Sequence, residues 1–154
     1  MKNVKFLLSA ALVFLASAAL AQDFSGPQYA KWGATPEERE QNILNSNFLK
    51  ESCDNRDYDA AAHYLKGLID KIPDAAESIY QRGAVVYKNK INRAKSVAEK
   101  NMFIDSLMLM YDMRAQYFGD NVKPGKTAFI LDQKAREFLR YKPCLLYTSD
   151  AADE

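Results

Sequence analysis

Histidine is nearly missing from these 154 residues, with one copy, and cysteine is scarce, with two. A single imidazole, His63, cannot supply a histidine-rich metal site, and its place within an amphipathic run reads as helix surface or packing. The acids Glu37, Glu38 and Glu40 fall at a helix start, where the helix dipole favours carboxylates without any metal. No cofactor is expected. An excess of one charge is missing as well: 21 basic side chains face 20 acidic ones. That balance gives no general draw for a polyanion, so nucleic acid is not an expected partner. Strand-like alternation of polar and apolar residues is absent too. The long uncharged run, Phe6 to Leu20, falls short of the about 20 apolar residues that cross a bilayer.

That run identifies the beginning of the chain. Lys2 and Lys5 precede it, and Ala19-Leu20-Ala21 closes it with a small-x-small cleavage pattern. This is the layout of a signal peptide over residues 1–21, with Gln22 first in the mature chain. The expected location is the periplasm or the cell envelope. No transmembrane segment is expected after cleavage, and the lack of a cysteine at the cleavage point argues against a bacterial lipid anchor.

The other end breaks its own pattern. "CLLYTSDAADE", Cys144 to Glu154, continues neither the charge spacing nor the apolar spacing of "GKTAFILDQKAREFLRYKP" before it. It resembles a transposase-type sequencing adapter translated in one frame, and is expected to be non-native, with the natural chain running on past Pro143. The leader holds two of the basic side chains and the tail three of the acids, leaving 19 basic and 17 acidic over residues 22–143. That length suits one modest domain. With Cys144 set aside, Cys53 stands alone and no intramolecular disulfide is expected.

Residues 22–34, "QDFSGPQYAKWGA", read as an extended leader, with Trp32 packing back on the domain. Thr35-Pro36-Glu37-Glu38 is a helix start with the elements of a capping box. Ile43, Leu44, Phe48 and Leu49 then recur at helical spacing. Asn55-Arg56-Asp57 interrupts. Ala61, Ala62, Leu65, Leu68, Ile69 and Ile72 follow Tyr58 along a second amphipathic helix that Pro73 ends. Asp74 and Glu77 have the spacing of another capping box, opening a third helix through Tyr80, Gly83 and Val86. "KNKINRAKSV" reads as a basic connector. A fourth helix carries Met102, Phe103, Leu107, Met110, Tyr111, Arg114 and Phe118 down one side. After the loop "GDNVKPGK", Thr127–Tyr141 is a fifth helix with Ile130, Leu131, Ala135, Phe138 and Leu139 on its apolar face. The predicted class is all-α.

Between Asn42 and Ala75 the chain resembles a tetratricopeptide repeat, whose period is about 34 residues. Tyr58 stands before the second helix, Ala61 at the close contact, Leu65 and Leu68 on the packing face and Pro73 at the exit. The next unit has Gly83 at the glycine position. Leu49 takes the usual glycine of the first unit, the customary tryptophan is missing, and the second unit's latter helix is delayed and long. The resemblance covers roughly residues 34–143 and is closest to exported repeat proteins of Bacteroides-type bacteria. It implies antiparallel helix pairs in a right-handed solenoid, five helices in all, the last one cut off from its partner with its apolar face exposed.

"GDNVKPGKT" resembles a phosphate-binding loop, but five residues separate Gly119 from Gly125 where the motif needs four, and a helix rather than a strand leads in. It reads as a turn. Met102, Met108, Met110 and Met113 read as repeat core in preference to an adaptable surface. Lys88, Lys90, Arg93, Lys95 and Lys100 lack an aromatic platform and read as a solvated face. The repeat resemblance implies a concave groove lined by the first helix of each pair, here Lys50, Tyr80, Ala84, Tyr87 and Lys88, with Arg136 from the cut unit. Tyrosines flanked by lysines suit an extended peptide; the same tyrosines equally suit packing on a neighbouring helix. The expected function is a non-catalytic exported scaffold that binds a protein or peptide. The alternatives are a docking module for an enzyme domain beyond residue 143, and an envelope glycan-binding protein.

Overall fold

A computed structural model describes residues 23–146, with side chains described through Tyr141. The signal-peptide reading lies outside these residues, as does the tail from residue 147. Every regular element among them is helical: a 3-10 helix at Pro27–Trp32, then α1 (Pro36–Asp54), α2 (Tyr58–Lys71), α3 (Glu77–Arg93), α4 (Val97–Phe118) and α5 (Lys126–Leu146). The chain is all-α over this span.

Three helix starts have a local cause. Thr35 Oγ1 accepts the Glu38 amide at 3.2 Å, and the Glu38 carboxylate accepts the Ala34 and Thr35 amides at 2.8 and 3.4 Å. The capping box read in the sequence is therefore formed, with Pro36 in the first turn. Asp57 caps α2 by accepting the Ala60 amide at 3.1 Å. Just before it, Arg56 takes a left-handed φ of 61° that reverses the chain. Ser96 accepts the Glu99 amide at 3.1 Å while Glu99 accepts the Lys95 amide at 2.7 Å, which fixes the start of α4.

Four expectations need correction. The leader is not extended: Pro27–Trp32 winds into a 3-10 helix. Arg39 holds it there by donating to the carbonyls of Gly33, Phe24 and Ser25 at 2.9–3.1 Å, and Asn42 donates to Trp32 O at 2.7 Å. The Asp74–Glu77 box does not form. Ala76 is the cap residue of α3 and its methyl cannot accept a hydrogen bond; the Glu77 carboxylate pairs instead with cations on α4 and α5. Residues 88–93 are not a connector but the last turns of α3, and Ala94–Ser96 alone link it to α4. On α4, Met102 is 56% exposed, and Ile104 and Met108 are buried in its place.

Successive helices pack antiparallel. Tyr80 near the start of α3 meets Tyr117 near the end of α4, whereas Tyr87 further along α3 meets Phe103 near the start of α4. The same reversal relates α4 to α5, through Asp112–Lys134 and Arg114–Gln133. Two apolar clusters result. Leu49, Ala61, Leu65, Leu68, Ile79 and Val86 fill the first, and Ile91, Ile104, Leu107, Tyr111, Ile130 and Tyr141 the second. Gly83 lies where α3 passes closest to its neighbours: a Cβ there would stand 2.7 Å from Met110 Sδ and 3.2 Å from the Leu65 methyls.

Helix α5 is covered on one side only. Ile130 and Tyr141 are buried, in the cluster shared with α4. Leu131, Phe138 and Leu139 are 40–65% exposed. This exposed face was expected of a fifth helix without a second partner. The helix also runs five residues past the expected end at Tyr141, to Leu146.

Candidate functional site: the groove between α3 and α5

Helices α3 and α5 lie side by side without close backbone approach, and the gap is a groove of about 370 Å³ with α4 as its floor. Two ion pairs cross it. Lys88 Nζ lies 3.2 Å from Glu137 Oε1, and Lys126 Nζ lies 2.6 Å from Glu77 Oε2. Glu77 also holds Arg114 of α4 at 2.9 Å through Oε1, so one carboxylate ties three helices together. Burial alone would raise the Glu77 pKa, but the hydrogen bonds from Lys126 and Arg114 outweigh it and hold the carboxyl below its ordinary value.

The lining is dominated by positive charge. Lys88, Arg114, Arg136 and Arg140 border the groove, and Glu137 is the one carboxylate among the lining residues. Arg114 is 9% exposed and donates from Nη1 to Gln133 Oε1 at 2.8 Å. Glu137 is shared. Its Oε1 accepts from Lys88, and its buried Oε2 has Arg140 Nη1 at 3.4 Å, close enough for an ion pair but not aligned as a hydrogen bond. Arg136 pairs with Asp132 one turn back on α5, both of them largely exposed. Phe129, 55% exposed, supplies an apolar surface at the groove's edge.

Of the six groove positions read from the sequence, the structure brings four together: Tyr80, Ala84, Lys88 and Arg136. Two of those are buried in the α3 wall. Tyr80 is 1% exposed and donates its hydroxyl to Pro73 O at 2.7 Å, and burial raises its pKa first, before the nearby Tyr117 and Asp74. Ala84 is also buried. Neither presents a stacking surface. Tyr87 points away from the groove, against Phe103 on the opposite side of α3. Lys50 is remote, paired with Asp54 one turn on along α1 at 2.6 Å. Sequence reasoning missed Arg114, Phe129, Glu137 and Arg140. Arg140 lies four residues after Arg136 and three after Glu137 on α5, spacings that could have flagged them.

The other candidates take up structural roles. Thr127 Oγ1 accepts the Asp120 amide at 2.9 Å while the Thr127 amide donates to Asp120 Oδ1 at 3.0 Å, closing the Gly119–Gly125 loop on itself. Lys88, Lys90 and Arg93 each have a separate protein contact: Glu137, Asp59 and the Tyr58 ring respectively. Among the described residues no three His, Cys, Asp or Glu side chains gather as a metal site, Cys53 is a free thiol, and no helix is long and apolar enough to cross a membrane. No family model, no curated protein and no solved structure matches this chain.

Proposed function

We propose that this chain is an exported, non-catalytic helical-repeat scaffold of tetratricopeptide type, which binds an acidic segment of a partner protein or peptide in the α3–α5 groove. The observation that carries the reading is the pair of exposed arginines on the groove's edge, Arg136 and Arg140, beside the exposed Phe129 ring. A peptide carboxylate entering there gains charge-assisted hydrogen bonds from Arg140, Arg136 and Lys88, and an adjoining apolar side chain rests on Phe129. Exposed arginines already presented by a rigid helix lose less conformational freedom on binding than loop residues would.

The repeat assignment draws support from the parallel course of α3 and α5 and from the close approach at Gly83. The distance between corresponding positions, 49 residues for both cross-groove ion pairs, departs from the period of about 34. The long α4, 22 residues, accounts for much of the surplus. Export rests on the signal-peptide pattern of residues 1–21.

The test is fluorescence anisotropy with a labelled peptide of Asp, Glu and Leu bearing a free C-terminal carboxylate. Arg140→Glu and Arg136→Glu, both at exposed positions, are expected to weaken binding about tenfold each, and raising salt should do the same. Binding that is indifferent to both substitutions would remove this reading.

A further inference from the structure

The side of the molecule opposite the groove has an unassigned feature of a different kind. The backbones of α2 and α4 nowhere come within 8 Å of each other, Cα to Cα. A trough of about 500 Å³ opens between them with Tyr87 of α3 at its base. Ala62, Leu65 and Ile69 form the α2 wall. Met102, Leu109 and Met113 form the α4 wall with Ser106 between them, at spacings of four, three and four that keep one helical ridge in line. Met102 to Met113 covers about 16 Å at the usual helical rise. Met102 and Leu109 are 56% and 52% exposed, so the trough is open along its length.

We infer that this trough is a docking site for an amphipathic helix of a partner protein, one with acidic residues beside its apolar ridge. Its shape selects a helix. A small ligand lying in an open trough would leave its outer face in water, whereas a guest helix buries one ridge and keeps its polar side solvated. Parallel ridges on α2 and α4 provide the groove that such a ridge packs into. Methionines at both ends adapt to the guest's side chains through their unbranched thioethers.

Charge selects the sign. Lys66 and Lys90 border the trough against a single acid, Asp70. Lys90 lies over the Phe103 ring at 5.0 Å and pairs with Asp59, whose side chain is 91% exposed. Lys66 pairs with Asp70 but is itself 77% exposed. Lys66 can therefore turn to a guest carboxylate at little cost, whereas Lys90, whose side chain is 18% exposed, stays fixed at the trough's border. The exposed stripe of α5 on a second copy has the wrong flanks for this site. Leu131, Phe138 and Leu139 are bordered by Lys134 and Arg136 against Asp132.

The experiment uses the whole chain and two synthetic helical peptides of about 14 residues, long enough to span the trough. Both carry leucines at i, i+3, i+4 and i+7. One has glutamates beside that ridge, the other lysines. Anisotropy is expected to show the glutamate peptide binding at least about tenfold more tightly, with the ε-methyl NMR signals of Met102 and Met113 shifting on titration. Leu109→Lys, at an exposed position, should weaken binding about tenfold, while Arg140→Glu in the other groove should leave it unchanged. Absence of binding, equal affinity for the two peptides, indifference to Leu109→Lys, or light scattering showing self-association that Leu109→Lys abolishes would each overturn the assignment.

Discussion

Lys88 of α3 meets Glu137 of α5 at 3.2 Å across 49 residues of sequence, and Glu77 and Lys126 meet at 2.6 Å across the same separation. Two rungs with one offset mean that α3 and α5 run parallel and in register. The two rungs differ in energy. Lys88 is a third exposed and Glu137 has Arg140 as a second partner, so a double-mutant cycle with Lys88→Met and Glu137→Gln should give a coupling of about 0.5 kcal/mol. A coupling several times larger, measured by urea denaturation, would mean that the groove is held closed mainly by this pair.

Glu77 is the stronger tie, because Lys126 and Arg114 are both mostly buried where they meet it. Replacing it by glutamine leaves two shielded cations short of a partner, at a cost of about 2–3 kcal/mol. Its folded carboxyl titrates below the ordinary value of 4.5, so the stability it contributes is complete above that pH. It is lost as pH falls through the folded value. Denaturation midpoints of the wild type should therefore fall more steeply below about pH 4.5 than those of Glu77→Gln. Parallel curves for the two proteins would show that Glu77 has no part in the acid response.

Two glycines within helices make a matched pair. At Gly83 a side chain meets Met110 and Leu65, and at Gly67 of α2 nothing lies within 4 Å of the added carbon. Gly83→Val should destabilise by about 2 kcal/mol through overpacking at the helix crossing. Gly67→Ala should stabilise by about 0.5–1 kcal/mol, since alanine is the better helix former and has open space. Thermal unfolding of both variants measures this. Similar shifts for the two would remove the close approach at Gly83 as a feature of the packing.

Local chemistry was legible in the sequence. Thr35, Pro36 and Glu38 set the start of α1 with atoms a few residues apart, and the apolar spacing of Ala61, Leu65 and Leu68 marked the buried side of α2. Both depend on helical period and near neighbours, so no distant contact is needed to read them. Glu77 shows where that reading ends. Its spacing from Asp74 fits a capping box, yet two cations 37 and 49 residues away claim its carboxylate, and ion pairs shielded from water outweigh a solvated cap. The leader was misread for the same reason, because Arg39 and Asn42 hold it by long-range hydrogen bonds.

The groove follows this division. By itself the sequence determined the five α-helices and hence an all-α chain, since period and caps act within a few turns, while the link between α3 and α4 proved shorter than its basic run suggested. Only the tertiary structure decided which side chains share a surface. It turned Tyr80 inward to Pro73, Tyr87 to the far side of α3, and Arg136 and Arg140 to the groove edge. A rotation of one helix by a fraction of a turn exchanges such neighbours, and that rotation is set by how whole helices pack rather than by any local run of residues.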